Sequence, residues 1–191
     1  MRYKHVFAIC AYKDSPYLER CIRSLKAQTV PSHIIICTST PSSYIDRLAW
    51  KYGLQVYVRQ GESNIKDDWN FAYSMAEGGL VTIAHQDDMY HRDYSAGLLA
   101  AHKRYPDMTV FTTDYVIVKQ GKLITGDAML WIKRILRMPL RFPQMNDRAW
   151  LKKLAFVLGN PICCPATTYH KAALGEPLVR SEYSFALDWY N

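Results

Sequence analysis

Gly79-Leu80-Val81-Thr82-Ile83-Ala84-His85-Gln86-Asp87-Asp88-Met89-Tyr90 sets an apolar, β-branched run directly against two adjacent carboxylates. Leu80 to Ala84 has the length and composition of a buried parallel strand, which carries little polar alternation. Asp87 and Asp88 then fall at its carboxyl end, the edge of an open α/β sheet where ligands bind. Adjacent carboxylates repel, and keeping both ionised is easiest with a cation between them and something anionic. Magnesium or manganese bridging a diphosphate meets that need. The plainer alternative is a pair of solvated acids in a surface loop, and the strand in front of the pair weighs against it.

Outward from this stretch, the preceding chain alternates strands and helices. Val6 to Cys10 is a short strand, followed by a helix that Ser15 can cap with Pro16 at its first position. Leu18, Cys21, Ile22 and Leu25 give that helix its apolar face. His33 to Cys37 is a second strand, a helix to about Tyr52 ends at Gly53, and Leu54 to Val58 is a third strand. After a polar loop from Arg59 to Lys66, Asp67 or Asp68 caps a helix with Trp69, Ala72, Tyr73 and Ala76 along one face, which Gly78-Gly79 end. Downstream, Asp93 caps a helix burying Tyr94, Leu98, Ala101 and Tyr105, Met108 to Thr113 is a strand, and residues 116–124 read as a hairpin. Short connections between alternating elements predict an α/β fold with a mostly parallel sheet flanked by helices.

The totals fit one domain. The 191 residues suffice for a substantial core, and 49% apolar with 21% charged residues is the balance of a folded protein. No apolar run is long enough to span a bilayer, and the start, Met1-Arg2-Tyr3-Lys4-His5, lacks a signal-peptide core. Five cysteines without a Cys-x-x-Cys pair indicate neither a disulfide framework nor zinc, so a reducing cytoplasm is expected. Cys163-Cys164 reads as a buried structural pair, with an acceptor-pocket lining as the other reading. The net charge of +7 is concentrated between Ala128 and Lys153, where seven basic residues face one acid, Asp147, leaving +6. A chain otherwise near neutral is not a nucleic-acid coat, and no nucleic-acid partner is expected. Residues 129–142 mix Trp131, Ile132, Ile135 and Phe142 with Lys133, Arg134, Arg137 and Arg141. That mixture suits an anionic membrane surface, or a core helix with a basic outer side. Phosphate-binding glycine motifs are missing: there is no Gly-x-Gly-x-x-Gly after the first strand and no Walker-type loop.

With these pieces in order, the chain resembles the family 2 glycosyltransferases of the GT-A fold. Four places carry the resemblance. They are the opening Val6-Phe7-Ala8-Ile9-Cys10-Ala11-Tyr12 with its later Ser24-Leu25-Lys26-Ala27-Gln28-Thr29, the helix Asp68-Trp69-Asn70-Phe71-Ala72, the motif Ala84-His85-Gln86-Asp87-Asp88, and Leu187-Asp188-Trp189. The resemblance implies an inverting transfer of a sugar from a nucleotide-diphosphate donor, a UDP-sugar in the first place, to the hydroxyl of a glycan or lipid-linked acceptor in surface glycan or polysaccharide synthesis. It implies Mn2+ or Mg2+ on Asp88 and Asp87, and Asp188 as the base. Donor contacts are expected from Ala11 and Tyr12, from Thr38 and Ser39, from Lys66 and Asp67, and from His85 beside the two aspartates. For Lys66 and Asp67 a solvated lysine and a capping acid remain the alternative.

Two departures stand out. The family's usual acid after the second strand is replaced by Cys37-Thr38-Ser39-Thr40, and the first Asp of its metal motif by His85, which either contacts ribose or phosphate or packs. Residues 1–105 are expected to form the nucleotide-sugar half of a single domain and 106–191 the acceptor half. The acidic motif of such enzymes opens a helix with more protein beyond it, so a chain stopping at Asn191 reads as truncated. The expected location is cytoplasmic, with peripheral attachment to the membrane face through 129–142. Rival readings are a nucleotidyltransferase, which normally carries a glycine- and arginine-rich loop after the first strand, and a non-catalytic nucleotide-sugar or glycan-binding module.

Overall fold

The computed structural model describes residues 2–119, 121–124, 126–142, 148–157 and 159–180. Its first half runs β1 (Tyr3–Ala11), α1 (Leu18–Lys26), β2 (His33–Thr38), α2 (Ser43–Tyr52), β3 (Gln55–Val58), α3 (Ile65–Met75), β4 (Gly78–His85) and α4 (Tyr94–Arg104). Then follow β5 (Val110–Thr112), the hairpin β6 (Ile117–Lys119) and β7 (Lys122–Ile124), α5 (Ala128–Arg137), a 3-10 turn (Met138–Arg141), α6 (Ala149–Val157), β8 (Thr167–His170) and α7 (Lys171–Leu174).

Among the described residues six strands form one sheet in the order β3-β2-β1-β4-β8-β5. β1 pairs in parallel with β2 and β4, and β2 with β3, while β8 runs antiparallel to β4 with Thr82 opposite Thr168. The expected mostly parallel sheet is therefore present. Helices cover both faces, so β1 and β4 are apolar without alternation yet sort their side chains by parity. Phe7 and Ile9 join Leu18, Ile22, Leu25, Ile45 and Leu48 on one face. Val6 and Ala8 join Ala72, Tyr73, Val81 and Ile83 on the other. Gly78 lets β4 start hard against β1, since a Cβ there would lie 2.7 Å from Val6 Cγ2.

Element ends follow local chemistry. Gly53 closes α2 in the left-handed conformation, as expected. The helix expected from Pro16 starts at Leu18 instead, because Ser15-Pro16-Tyr17 is a turn in which Ser15 Oγ accepts the Tyr17 N–H. The cap of α3 is Asn64, whose Oδ1 accepts the Asp67 N–H at 2.8 Å, and Asp67 and Asp68 fall in the first turn. Chain packing separates two compact units, Met1–Phe111 with Thr167–Asn191, and Thr112–Ala166.

Candidate active site

The carboxyl ends of β1, β2 and β4 and the start of α3 enclose a cleft of about 510 Å³. It is lined by Cys10, Ala11 and Tyr12 from β1 and its loop, and by Cys37 from β2. Ser63, Asn64, Ile65, Asp68 and Trp69 come from around the start of α3, and His85, Gln86 and Asp87 from the end of β4. All belong to the first compact unit.

β4 ends in a tight turn, with the Asp88 N–H donating to the His85 carbonyl at 3.2 Å. The turn brings a nitrogen of His85 and carboxylate oxygens of Asp87 and Asp88 within 4.8 Å of one another. His85 Nδ1 lies 3.9 Å from Asp88 Oδ2, and its ring lies against Trp69 with centroids 5.1 Å apart. Partial burial, and secondarily the charge of Asp87, push the Asp88 carboxyl up to about 6. A divalent cation would relieve that repulsion, so these residues fit the metal the sequence implied. Gln86, the unremarked position of the motif, has a structural task. Its carboxamide pairs with the main chain of Tyr12, accepting from N–H at 2.9 Å and donating to C=O at 3.0 Å. Those two bonds tie the β1 loop to the β4 turn.

The expected donor residues divide into three groups. Ala11, Tyr12, His85 and Asp87 line the cleft, and Asp88 stands beside them. Ser39 lies at the end of β2, and buried Thr38 turns its hydroxyl into the loop to accept the Thr40 N–H at 3.0 Å. Lys66 and Asp67 do not line the cleft, and Asp67 accepts from Asn64 Nδ2 at 2.8 Å. Asp188 and its neighbours lie outside the described residues.

Sequence reading missed Ser63, Asn64 and Asp68 as site residues and took Trp69 for core. The available signal was position: an acid in the first turn of a helix starting at the ligand edge of the sheet, with a tryptophan directly after it. Asn70, part of the family-like helix, makes a two-point contact instead. It accepts from the Val179 N–H at 2.7 Å and donates to the Val179 carbonyl at 2.9 Å, holding the segment that leads toward residue 188.

A largely parallel sheet, with a carboxylate pair at the end of its fourth strand beside an open cleft, is the GT-A architecture. The profile of Glycosyl transferase family 2 matches residues 6–161, and the chain belongs to that family. Among solved structures it is similar to S. aureus TarS 1-349 in complex with UDP, at 17% identity and a TM-score of 0.66 over 97% of this chain and 53% of that one. It is also similar to glucosyl-3-phosphoglycerate synthase from Mycobacterium tuberculosis in complex with Mn2+, UDP-glucose and phosphoglyceric acid. That match has 11% identity and a TM-score of 0.59 over 90% of this chain and 57% of that one. The chain thus spans little more than half the length of either. No curated protein matches the sequence.

Proposed function

We propose that this chain forms the donor-binding part of an inverting, metal-dependent glycosyltransferase, which moves a sugar from a nucleotide diphosphate to an acceptor hydroxyl. The observation that carries the reading is the convergence of His85, Asp87 and Asp88 at the mouth of the cleft. Carboxylate oxygens suit Mg2+ and Mn2+, and an imidazole beside them favours the transition metal. A cation held by Asp88 and Asp87, with His85 alongside, would supply Lewis-acid neutralisation of the departing diphosphate. A UDP-sugar is the favoured donor, in keeping with the UDP and UDP-glucose in the two similar structures. Trp69 and Tyr12 offer it aromatic walls, and Gln86 keeps the two loops in register. Asp188 takes the proton from the acceptor hydroxyl as the sugar inverts.

The acceptor is a glycan or lipid-linked hydroxyl in surface glycan synthesis, approached at the cytoplasmic membrane face. The support for the membrane is the second compact unit, where Trp131, Ile132, Ile135, Phe142, Trp150 and Leu154 are all more than half exposed. Among the described residues no helix is long and apolar enough to cross a bilayer, so contact would be at the surface.

The test is calorimetry of UDP binding with and without Mn2+. Asp88→Ala is expected to abolish the manganese-dependent affinity while the melting temperature stays within a few degrees. In the unaltered protein that affinity should weaken below pH about 6, as protons compete for Asp88. Undiminished metal-dependent binding in the variant would refute the assignment. Slow hydrolysis of a UDP-sugar without acceptor separates an enzyme from a binding module.

A further inference from the structure

The turn after β4 brings three ligand-bearing side chains to one point, and it is braced from several sides. The His85 carbonyl accepts the Asp88 N–H at 3.2 Å and the Cys21 thiol at 3.4 Å, so α1 as well as the turn itself fixes the backbone from which these side chains project. The Gln86 carboxamide anchors the next residue to the main chain of Tyr12. The His85 ring packs on Trp69, with an angle of 32° between the planes. These contacts all lie within the protein, so the cluster stands formed before any nucleotide arrives.

The cluster offers one imidazole nitrogen and two carboxylates. His85 Nδ1 faces Asp88 Oδ2 at 3.9 Å, too long for a direct hydrogen bond between these two atoms. An ion about 2.1 Å from each of two ligands joins atoms up to about 4.2 Å apart, and this pair is inside that reach. The ligand types then discriminate between ions. Magnesium takes oxygen, dehydrates reluctantly, and is usually bound by one or two carboxylates together with substrate phosphates. Imidazole suits transition ions, whose affinity for a given site rises from manganese to cobalt. A carboxylate at position 85 would make an all-oxygen site of higher negative charge, open to magnesium and calcium. His85 removes that charge and supplies nitrogen.

We infer that His85 is a direct ligand, and that it makes this a resident transition-metal site. The chain holds its ion through His85, Asp87 and Asp88 before the nucleotide binds, and selects that ion over magnesium. The inference rests on the metal-site reading above and makes the identity of the ion, and the order in which ion and nucleotide bind, properties of one side chain. Two adjacent aspartates alone would leave the ion dependent on the diphosphate for its hold.

The experiment is calorimetric titration of the whole chain, free of nucleotide, with Co2+, Mn2+ and Mg2+. Co2+ is expected to bind most tightly and Mn2+ next. Mg2+, which gains little from the imidazole, should bind at least about tenfold more weakly than Co2+, the scale on which a single partner counts at a metal site. His85→Asp should strengthen Mg2+, weaken Co2+ and bring their ratio toward one. His85→Ala should weaken Co2+ by about tenfold or more and change Mg2+ little, which keeps the test decisive if the aspartate variant does not fold. Pulsed electron paramagnetic resonance of bound Mn2+ should show coupling to an imidazole nitrogen that either variant removes. Equal affinity for Co2+ and Mg2+, absence of that coupling, or a ratio untouched by both variants would overturn the inference. The titrations are repeated with UDP present. Manganese-dependent binding of UDP with no ion held beforehand would sink this inference alone, whereas no ion bound with or without UDP would remove the metal-site reading together with it.

Discussion

His5 shows how one side chain can set the acid response of the fold. It is 3% exposed in the middle of β1, with Nδ1 2.8 Å from Ser32 Oγ and Nε2 2.8 Å from Thr82 Oγ1. Thr82 meets Thr168 at 2.6 Å, Thr168 meets the Tyr94 hydroxyl at 2.8 Å, and Ser32 donates to Ser95. One orientation satisfies every member: protons point from Tyr94 through Thr168 and Thr82 to Nε2, and from Nδ1–H through Ser32 to Ser95. That direction requires a neutral ring, and burial lowers the His5 pKa to about 3. The unfolded chain takes up this proton below its ordinary value near 6.5, while the folded chain does not. Stability from His5 is therefore complete above pH about 6.5 and is lost as pH falls toward 3. His5→Gln should lower the melting temperature at pH 7 and flatten its decline between pH 7 and 5, read by calorimetric melts. Asp188 gives a second residue-scale test. Once a transfer assay with donor and acceptor is in hand, Asp188→Asn should cut turnover by roughly a hundredfold or more and leave donor affinity unchanged, and a near-normal rate would send the search for the base elsewhere. Asp87 and Asp88 were legible because a strand and its terminal acids are adjacent in sequence. Asp68 was not, because the partners that hold its carboxylate, Arg59, Ser39 and Ser63, are collected only by the tertiary fold.

α3 carries much of the cleft wall, and its ends are held by chemistry of different visibility. Its amino end has the Asn64 cap and two acids in the first turn, both favourable to the helix dipole. Its carboxyl end has no basic residue in its last turn. The charge comes from Lys171, whose Nζ donates to the carbonyls of Tyr73, Ser74 and Ala76 at 3.0–3.1 Å and pairs with Glu176 at 2.7 Å. Lys171→Met keeps the aliphatic stem and leaves these carbonyls without their donor. It should destabilise the protein by about 1–3 kcal/mol and speed amide exchange in the last turn of α3 more than elsewhere. Denaturant melts with residue-resolved exchange check both, and an unchanged midpoint would show water serving as well as the ammonium. Helices α1 to α4 and the parallel strands could be read from period and punctuation. β8 could not, since Thr167-Thr168-Tyr169-His170 is short and polar, and its hydroxyls are buried only because β4 and α4 supply partners.

At the scale of the molecule, the +6 read from 128–153 is not all available at the surface. Arg137 is buried, donating to the Pro161 carbonyl and to Asp114, and Arg134 also pairs with Asp114 at 3.0 Å. Replacing these arginines would test the integrity of the second unit rather than membrane contact. The exposed lysines Lys152 and Lys153 are the ones to change. Co-sedimentation with anionic vesicles is expected to fall as salt rises, because exposed charge is screened. Lys152→Gln with Lys153→Gln should weaken it, and Trp131→Ser should reduce the part that survives high salt. Binding indifferent to salt and to all three changes would remove the membrane from the account.

The second unit, Thr112–Ala166, is inserted within the chain of the first. On the ribosome this order matters. The parallel strands emerge early, but β4 waits for its antiparallel neighbour until the intervening unit has been synthesised. Until then the apolar flank of Leu80–Ala84 is an open sheet edge, a template for pairing with other chains. Closing so long a loop costs only slightly more entropy than closing a short one. The hazard is thus one of elapsed time rather than equilibrium, and the nascent chain is most vulnerable to misassociation between completion of β4 and the emergence of Thr167.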